Sequence, residues 1–197
     1  LALMPTGGGK SLCYQLPSLL LPGLTLVISP LIALMKDQVD DLLLRNIPVG
    51  LLNSTQSDEA SNEVFQRMTD GTLKILYTSP ERLFARESLL FTQLQSLNIS
   101  LIAVDEAHCI SDWGHDFRPD YRRLRQLLAD LPAWTPVLAT TATANQRVTD
   151  DVAAQLGDDS LVLRTTLDRK SLHLSTVDLA DDAHRLAWLA ETLPQLD

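Results

Sequence analysis

The chain has 197 residues and a mass of 21.8 kDa, enough for one α/β unit or for one unit and part of a second. Hydrophobic residues make up 45% of it and charged residues 21%, which excludes a disordered or low-complexity scaffold. The formal net charge is -9, which weakens long-range attraction to a polyanion without forbidding a local basic groove.

The charge is uneven along the chain. Residues 171–197 hold one basic and five acidic side chains, whereas four arginines lie close together at Arg118, Arg122, Arg123 and Arg125. No apolar stretch approaches the roughly 18 residues of a bilayer span. Two cysteines, Cys13 and Cys109, cannot form a disulfide framework, which is typical of a reducing compartment.

Short apolar runs alternate with longer helical patterns along most of the chain. The predicted strands are Leu24–Ser29, Pro48–Leu52, Leu73–Thr78, Ile99–Asp105 and Pro136–Thr140, with a weaker pattern at Leu161–Arg164. The predicted helices are 10–21, 31–45, 57–69, 81–96, 118–130 and 145–156. Apolar strands alternating with helices at this spacing predict an α/β fold, an open and mostly parallel sheet with helices on both faces.

Both ends of the sequence look incomplete. Leu1–Met4 resembles the last residues of a strand. Near the other end, Leu172–Val177 is predicted as a strand and Asp182–Leu193 as an amphipathic helix. A lone strand and helix have no core of their own, so residues 1–168 are predicted to form one domain and residues 169–197 to begin a second, truncated one.

A glycine-rich turn follows the first strand stub and opens a helix. Three glycines let the backbone aim N–H groups into one concavity, and the helix N-terminus adds partial positive charge. Lys10 would bind the β- and γ-phosphates of a nucleotide, and the Ser11 hydroxyl would coordinate Mg²⁺. The predicted nucleotide-binding residues are Thr6, Gly7, Gly8, Gly9, Lys10 and Ser11. Met4 stands where the usual pattern has glycine, and a structural turn with an incidental lysine is the alternative.

The predicted strand ending at Asp105 carries a second acidic residue, Glu106, and then His108. Ligands of open α/β sheets lie beyond the carboxyl ends of the strands, where Asp105 could hold the Mg²⁺ of a nucleotide. Glu106 could orient or deprotonate the attacking water, and His108 could sense the nucleotide through a hydrogen bond. The alternative is an ordinary polar strand exit.

Three aromatic residues, Trp113, Phe117 and Tyr121, lie within nine positions and are interleaved with charges that include Arg118. A spacing of four is typical of a buried helical stripe, but Pro119 interrupts a continuous helix. Aromatic rings beside arginine on a loop suit stacking on bases and contact with phosphates. Partial burial under the sheet is the alternative.

Three further segments follow predicted strands and precede predicted helices. Ser29 and Pro30 form one, Thr78 and Ser79 another, and both could bind the phosphates of a nucleic acid through hydroxyls and free N–H groups. Simple helix capping explains each equally well. In the third, residues 139–144, threonine hydroxyls could link the nucleotide to neighbouring loops, or Thr143 could cap the next helix.

Together these segments resemble the RecQ family of superfamily 2 DNA helicases. The residues that carry the resemblance are Met4–Pro17, Val27–Val39, Thr78–Leu83, Asp105–Leu124 and Ala139–Ala144. They are similar in order and spacing to helicase motifs I, Ia, Ib, II with its aromatic-rich loop, and III. The run from Asp105 to Leu124 distinguishes this family from DEAD-box and spliceosomal DEAH proteins.

The resemblance implies a RecA-like P-loop ATPase domain that uses ATP and Mg²⁺ and moves 3′ to 5′ on single-stranded DNA. It implies unwinding of forked DNA in repair and recombination, with Trp113, Phe117 and Arg118 coupling DNA contact to hydrolysis. A glutamine motif before Leu1 and a second RecA-like domain with an arginine finger after Asp197 are expected. Zinc belongs only to a family module absent from this chain.

The resemblance also implies no membrane partner. It implies a cytoplasmic, nucleoid-associated protein in a bacterium, or a nuclear one in a eukaryote. Two other function classes stay open at this point. One is a nucleotide-gated module that clamps nucleic acid without unwinding it. The other is a small-molecule P-loop kinase, which leaves the segment from Asp105 to Leu124 unexplained.

Overall fold

The computed structural model describes residues 1–85, 90–111, 121, 123–130, 132, 134–157, 160–166 and 175–195. The chain divides into two compact units, Leu1–Leu167 and Asp168–Asp197. The domain boundary predicted from composition lies between residues 168 and 169. That the second unit begins a second RecA-like domain stays a prediction.

The first unit is built on one sheet of seven strands. They are β1 (Ala2–Leu3), β2 (Leu24–Ile28), β3 (Val49–Leu52), β4 (Ile75–Thr78), β5 (Ile99–Val104), β6 (Val137–Thr141) and β7 (Leu163–Arg164). Their order is β3-β4-β2-β5-β6-β1-β7, and every neighbouring pair is parallel. The predicted parallel α/β fold is therefore confirmed.

Helices connect the strands. They are α1 (Leu12–Leu20), α2 (Ile32–Leu44), α3 (Asp58–Thr69), α4 (Pro80–Leu83), α5 (Leu90–Gln95), α6 (Leu124–Asp130) and α7 (Gln146–Leu156), with a 3-10 helix at Ala107–Ile110. The helix predicted over 81–96 is wrong as one element, because α4 ends at Leu83 and α5 starts at Leu90. Among the helices of the described ranges, none is long and apolar enough to cross a membrane.

The central strands are apolar throughout because both faces of the sheet are covered. In β2, Leu26 and Ile28 pack in the larger core cluster, whereas Val27 packs in the smaller one with Tyr14 and Met35 of α1 and α2. Successive side chains of a strand point to opposite faces. Two buried faces thus account for the continuous apolar runs from which the strands were predicted.

The second unit contains α8 (Asp182–Thr192), followed by a 3-10 helix at Leu193–Gln195. Asp181 caps α8, since its carboxylate accepts a hydrogen bond from the His184 amide at 2.9 Å. The strand predicted over 172–177 is not found in its described part, because residues 175–177 form no helix or strand. Residues 172–174 lie outside the described residues.

Candidate nucleotide-binding site

The sheet order brings the glycine-rich turn and Asp105 to the same edge. The turn follows β1 and Asp105 follows β5, with β6 alone between these two parallel strands. Neighbouring strands lie about 4.8 Å apart, so two loops separated by one strand are about 10 Å apart. The Met4 amide donates to the Thr141 carbonyl at 3.1 Å and fixes the start of the turn to the end of β6.

Residues 5–11 form an exposed turn that leads into α1. Gly7 and Gly9 have φ of 77° and 84°, a conformation that favours glycine. The Gly8 amide donates to the Pro5 carbonyl at 3.0 Å, and a Cβ at Gly8 would lie 2.9 Å from that oxygen. Glycine is therefore required for this close approach, as a phosphate-binding turn demands.

Lys10 and Ser11 stand at the junction between the turn and α1. The Lys10 ammonium lies 3.4 Å from the Pro5 carbonyl, so it is held over the turn. Its positive charge is only a minor influence on the neighbouring carboxyls: burial is the main cause that raises the pKa of Asp105, and the hydrogen bond with His108 is the main cause that lowers the pKa of Glu106. The sheet order brings the turn and the acidic strand end to the same edge.

Asp105 is a buried carboxylate, only 4% exposed. Its Oδ1 accepts hydrogen bonds from the Glu106 amide at 3.0 Å and the Thr140 hydroxyl at 2.8 Å. Burial, with the negative charge of Glu106 added, raises the pKa of Asp105 against the opposing effects of these bonds and of Lys10. A cation would therefore relieve an electrostatic cost at this position.

Glu106 and His108 form a pair beside it. Glu106 adopts a left-handed backbone with φ of 48°, and its Oε2 lies 3.3 Å from His108 Nδ1. That contact lowers the pKa of Glu106. Contacts with Cys109 and then with Glu106 raise the pKa of His108 to about 9. At neutral pH Glu106 is thus ionised and His108 protonated.

His108 also connects this pair to the end of β6. Its Nδ1 lies 2.9 Å from the Thr141 hydroxyl and 3.3 Å from the Thr143 hydroxyl. Threonines 140 and 141 were not predicted individually as site residues, although residues 139–144 were predicted to link the nucleotide to neighbouring loops. Two consecutive threonines that end an apolar strand were the available signal.

The residues present fit a magnesium ion that also binds phosphate oxygens. Among the described residues no group of three or more His, Cys, Asp and Glu side chains could hold a metal by itself. Mg²⁺ commonly uses one or two carboxylates together with waters and phosphates. Within the described part of the chain, both hydrogen bonds to the Asp105 carboxylate end on Oδ1. The Ser11 side chain makes no capping hydrogen bond to α1. Asp105 and Ser11 are therefore suited to such an ion.

Only Tyr121 of the three predicted aromatic residues lies within the described ranges. Trp113, Phe117 and Arg118 lie outside the described residues. Tyr121 is fully buried in the larger core cluster and donates its hydroxyl hydrogen to the Asp105 carbonyl at 3.2 Å. Its ring is therefore not accessible to a nucleic acid, contrary to the predicted base contact. The alternative prediction, burial under the sheet, describes this residue.

The other predicted nucleic-acid residues, Ser29, Pro30, Thr78 and Ser79, are buried at the ends of β2 and β4. Their side chains are not accessible to a ligand in this structure. A contact with nucleic-acid phosphates at these residues would therefore be made by the backbone. Ser79 does cap α4, accepting from the Arg82 amide at 3.2 Å.

Helix capping, the alternative to ligand contact, does not apply to Ser29 or Thr143. Leu31 occupies the N-cap position of α2, so Ser29 is not its cap. Asn145, not Thr143, caps α7, accepting from the Val148 amide at 3.0 Å. The Thr143 hydroxyl lies 3.3 Å from His108 Nδ1 instead.

Comparison with known proteins agrees with this geometry. Residues 1–152 match the family model described as DEAD/DEAH box helicase. The chain belongs to the DEAD/DEAH box helicase family. It is 49% identical over 154 residues to ATP-dependent DNA helicase RecQ of Bacillus subtilis, covering 78% of this chain and 26% of the relative.

Other relatives extend the likeness. The chain is 42% identical to the probable ATP-dependent DNA helicase RecS of Bacillus subtilis, covering 100% of this chain and 37% of RecS. It is 46% identical to the RecQ-like DNA helicase BLM of Xenopus laevis, covering 78% of this chain and 12% of the relative. The resemblance to RecQ helicases is confirmed, although the chain spans only a minor part of each relative.

Solved structures support the RecA-like fold. The DUF1998 helicase MrfA superposes with a TM-score of 0.65 at 18% identity, covering 98% of this chain and 32% of MrfA. The Hef helicase domain of Pyrococcus furiosus gives a TM-score of 0.59 at 18% identity, covering 86% of this chain and 35% of Hef.

Proposed function

We propose that this chain is the first motor domain of an ATP-dependent DNA helicase of the RecQ type. The whole enzyme would couple ATP hydrolysis to 3′ to 5′ translocation on single-stranded DNA and to duplex unwinding in repair and recombination. The observation that carries the proposal is that the Lys10 turn follows β1 and Asp105 follows β5 at the same edge of the sheet, with β6 alone between these strands, in a chain 49% identical to a RecQ helicase.

ATP would bind in the turn at residues 6–11. The turn amides and the N-terminus of α1 favour a polyphosphate, and Lys10 supplies a full positive charge. Ser11 and Asp105 would hold Mg²⁺, which neutralises phosphate charge when bound. The raised pKa of Asp105 supports this role, because a bound cation compensates the charge that burial penalises.

Glu106 would orient and deprotonate the attacking water. Its lowered pKa keeps it ionised at neutral pH, so it can accept a proton. The contact with His108 fixes the carboxylate, and the hydroxyls of Thr141 and Thr143 fix His108. His108 is thus a positioning residue that connects the water-activating carboxylate to the end of β6.

DNA contact and the second motor domain complete the proposal. Trp113, Phe117 and Arg118 would contact single-stranded DNA, and the backbone at Ser29–Pro30 and Thr78–Ser79 would contact its phosphates. An arginine of the second domain would stabilise the transition state, a contribution of about 10³–10⁵ in rate in related phosphoryl transfer. The names of the relatives, DNA helicases in bacteria and animals, support DNA as the partner.

Two substitutions in the intact enzyme test the division of roles. Lys10→Ala should abolish ATP hydrolysis and leave binding of single-stranded DNA largely intact, because the lysine acts on phosphates of ATP. Trp113→Ala should spare basal ATPase activity and reduce its stimulation by single-stranded DNA. Measured ATPase rates with and without DNA, together with DNA affinities, separate the two. Loss of the same property in both variants would contradict the proposal.

Strand displacement by the intact enzyme tests unwinding separately from hydrolysis. A forked duplex with a labelled strand should be separated when ATP and Mg²⁺ are present. ATP-dependent binding of the fork without strand separation would favour a nucleotide-gated clamp. Phosphate transfer to a small molecule, with no response to DNA, would favour a kinase.

A further inference from the structure

A partly buried polar network joins α1, α2 and β4 beside the smaller core cluster. The Oε1 atom of Gln38 accepts hydrogen bonds from the hydroxyls of Tyr14 at 3.0 Å and Tyr77 at 2.9 Å. Gln15 donates its side-chain amide to the Tyr77 hydroxyl at 2.9 Å. The two tyrosine rings meet edge to face with centroids 6.4 Å apart. One glutamine oxygen therefore ties two buried tyrosines together.

The two tyrosine hydroxyls remain donors at all physiological pH values. Tyr14 and Tyr77 are at most 1% exposed. Burial raises the pKa of Tyr77 to about 12 and that of Tyr14 further still. The charge of Asp105 also raises the pKa of both hydroxyls.

The position of each member in the chain suggests what the network connects. Tyr14 and Gln15 lie in the first turn of α1, directly after the phosphate-binding turn. Gln38 lies in α2, the helix that follows the end of β2. Tyr77 precedes Thr78, the last residue of β4. Three hydrogen bonds thus link α1 to α2, the helix that follows β2, and to the residue before the end of β4.

Core packing alone does not require this arrangement. The positions around the tyrosines are apolar, among them Val27, Met35 and Ile75, and aliphatic side chains would fill the same space. Buried polar networks with satisfied partners restrict a core to one arrangement, because any shift leaves a polar group unpaired. Sliding of α1 against α2 or β4 would break the bonds at Gln38.

We propose that Gln38 is a positioning residue that couples nucleotide binding at the phosphate turn to nucleic-acid contact at the ends of β2 and β4. The inference rests on the proposed helicase function. Coupling of this kind is reciprocal, so DNA would raise ATP turnover and ATP would alter DNA affinity through the same network. Gln38 touches neither ligand, and its loss should leave each ligand's separate binding in place.

The test compares Gln38→Leu with Gln38→Glu in the intact enzyme. Gln38→Leu removes the shared acceptor and should reduce the stimulation of ATPase activity by single-stranded DNA by about 5-fold or more. Basal ATPase activity, ATP affinity without DNA and DNA affinity without ATP should stay within about 2-fold. Gln38→Glu keeps an acceptor oxygen and should restore most of the stimulation. Gln66→Leu makes the same change at an exposed position of α3 and is the matched control.

Tyr77→Phe is a second test that does not depend on the folding of Gln38→Leu. It removes one hydroxyl of the network and keeps the ring. It should also lower DNA stimulation while thermal unfolding shows a folded protein. Wild-type stimulation in both Gln38→Leu and Tyr77→Phe would overturn the inference, as would equal loss of basal and stimulated rates in the folded variants. Absence of any DNA-stimulated ATPase activity in the wild type would instead contradict the proposed function.

Discussion

Asp105→Asn is expected to stabilise the protein while removing the proposed magnesium ligand. The pKa of Asp105 is raised, so at neutral pH the ionised carboxylate costs folding free energy in the absence of a cation. Within the described ranges, both hydrogen bonds to the Asp105 carboxylate end on Oδ1, an atom that asparagine retains. The substitution therefore removes the charge and keeps the Thr140 and Glu106 contacts.

Single stabilising substitutions, including those that improve charge, commonly add about 0.5–2 kcal/mol. We expect about 1 kcal/mol of added stability without Mg²⁺, or roughly 2–4 °C in Tm for a chain of this size.

The gain depends on pH in a defined direction. A carboxyl whose folded pKa lies above its unfolded pKa costs nothing at low pH, where both states are protonated. The cost appears as the pH rises through the folded pKa. Asp105→Asn should therefore exceed the wild type in stability at neutral pH, and the difference should shrink as the pH falls toward the usual aspartate range.

Thermal unfolding without Mg²⁺ or nucleotide at several pH values measures this. Asp37→Asn makes the same change on the exposed surface of α2 and should alter stability by less than about 0.5 kcal/mol. A variant at Asp105 that is less stable than the wild type at neutral pH would refute the reasoning, because the carboxylate would then contribute favourably to folding.

Two further predictions concern the nucleotide turn and the separate chain. Gly8→Ala places a Cβ 2.9 Å from the Pro5 carbonyl, so the turn must move; affinity for a non-hydrolysable ATP analogue, measured by calorimetry, should fall by about 10-fold. Unchanged affinity would show that the turn does not hold the phosphates. Residues 1–197 alone should hydrolyse ATP at least about 10³-fold more slowly than the proposed whole enzyme, in which an arginine of a second motor domain would stabilise the transition state. Robust DNA-stimulated turnover by this segment would contradict that expectation.

Much of the fold could be predicted because local signals agreed with the tertiary structure. Apolar runs such as the one at β2 are buried on both faces, and glycine-rich or proline-containing turns separate them from helices. The Gly-Lys-Ser segment and Asp105 could be assigned to one edge, since parallel strands place their carboxyl ends together. The bounds of α1 and β2 differ from the predicted ones by two residues or fewer, whereas the helix predicted over 81–96 is divided.

Contacts between distant residues could not be predicted in the same way. Gln38 and Tyr77 are 39 positions apart, and no periodicity or motif pairs them. Tyr121 is predicted to contact a nucleic acid because Pro119 and the neighbouring charges indicate a loop, yet its hydroxyl donates to the Asp105 carbonyl inside the core. The capping of α7 by Asn145 instead of Thr143 reflects a helix start later than the threonine run suggests.

Binding of a non-hydrolysable ATP analogue with and without Mg²⁺ tests the central claim most directly. The claim is that the Lys10 turn and Asp105 form one site for a magnesium-bound triphosphate. Lys10→Ala should weaken binding in both conditions, whereas Asp105→Asn should weaken it by at least about 10-fold only when Mg²⁺ is present. Wild-type affinity of Asp105→Asn in saturating Mg²⁺ would contradict the account.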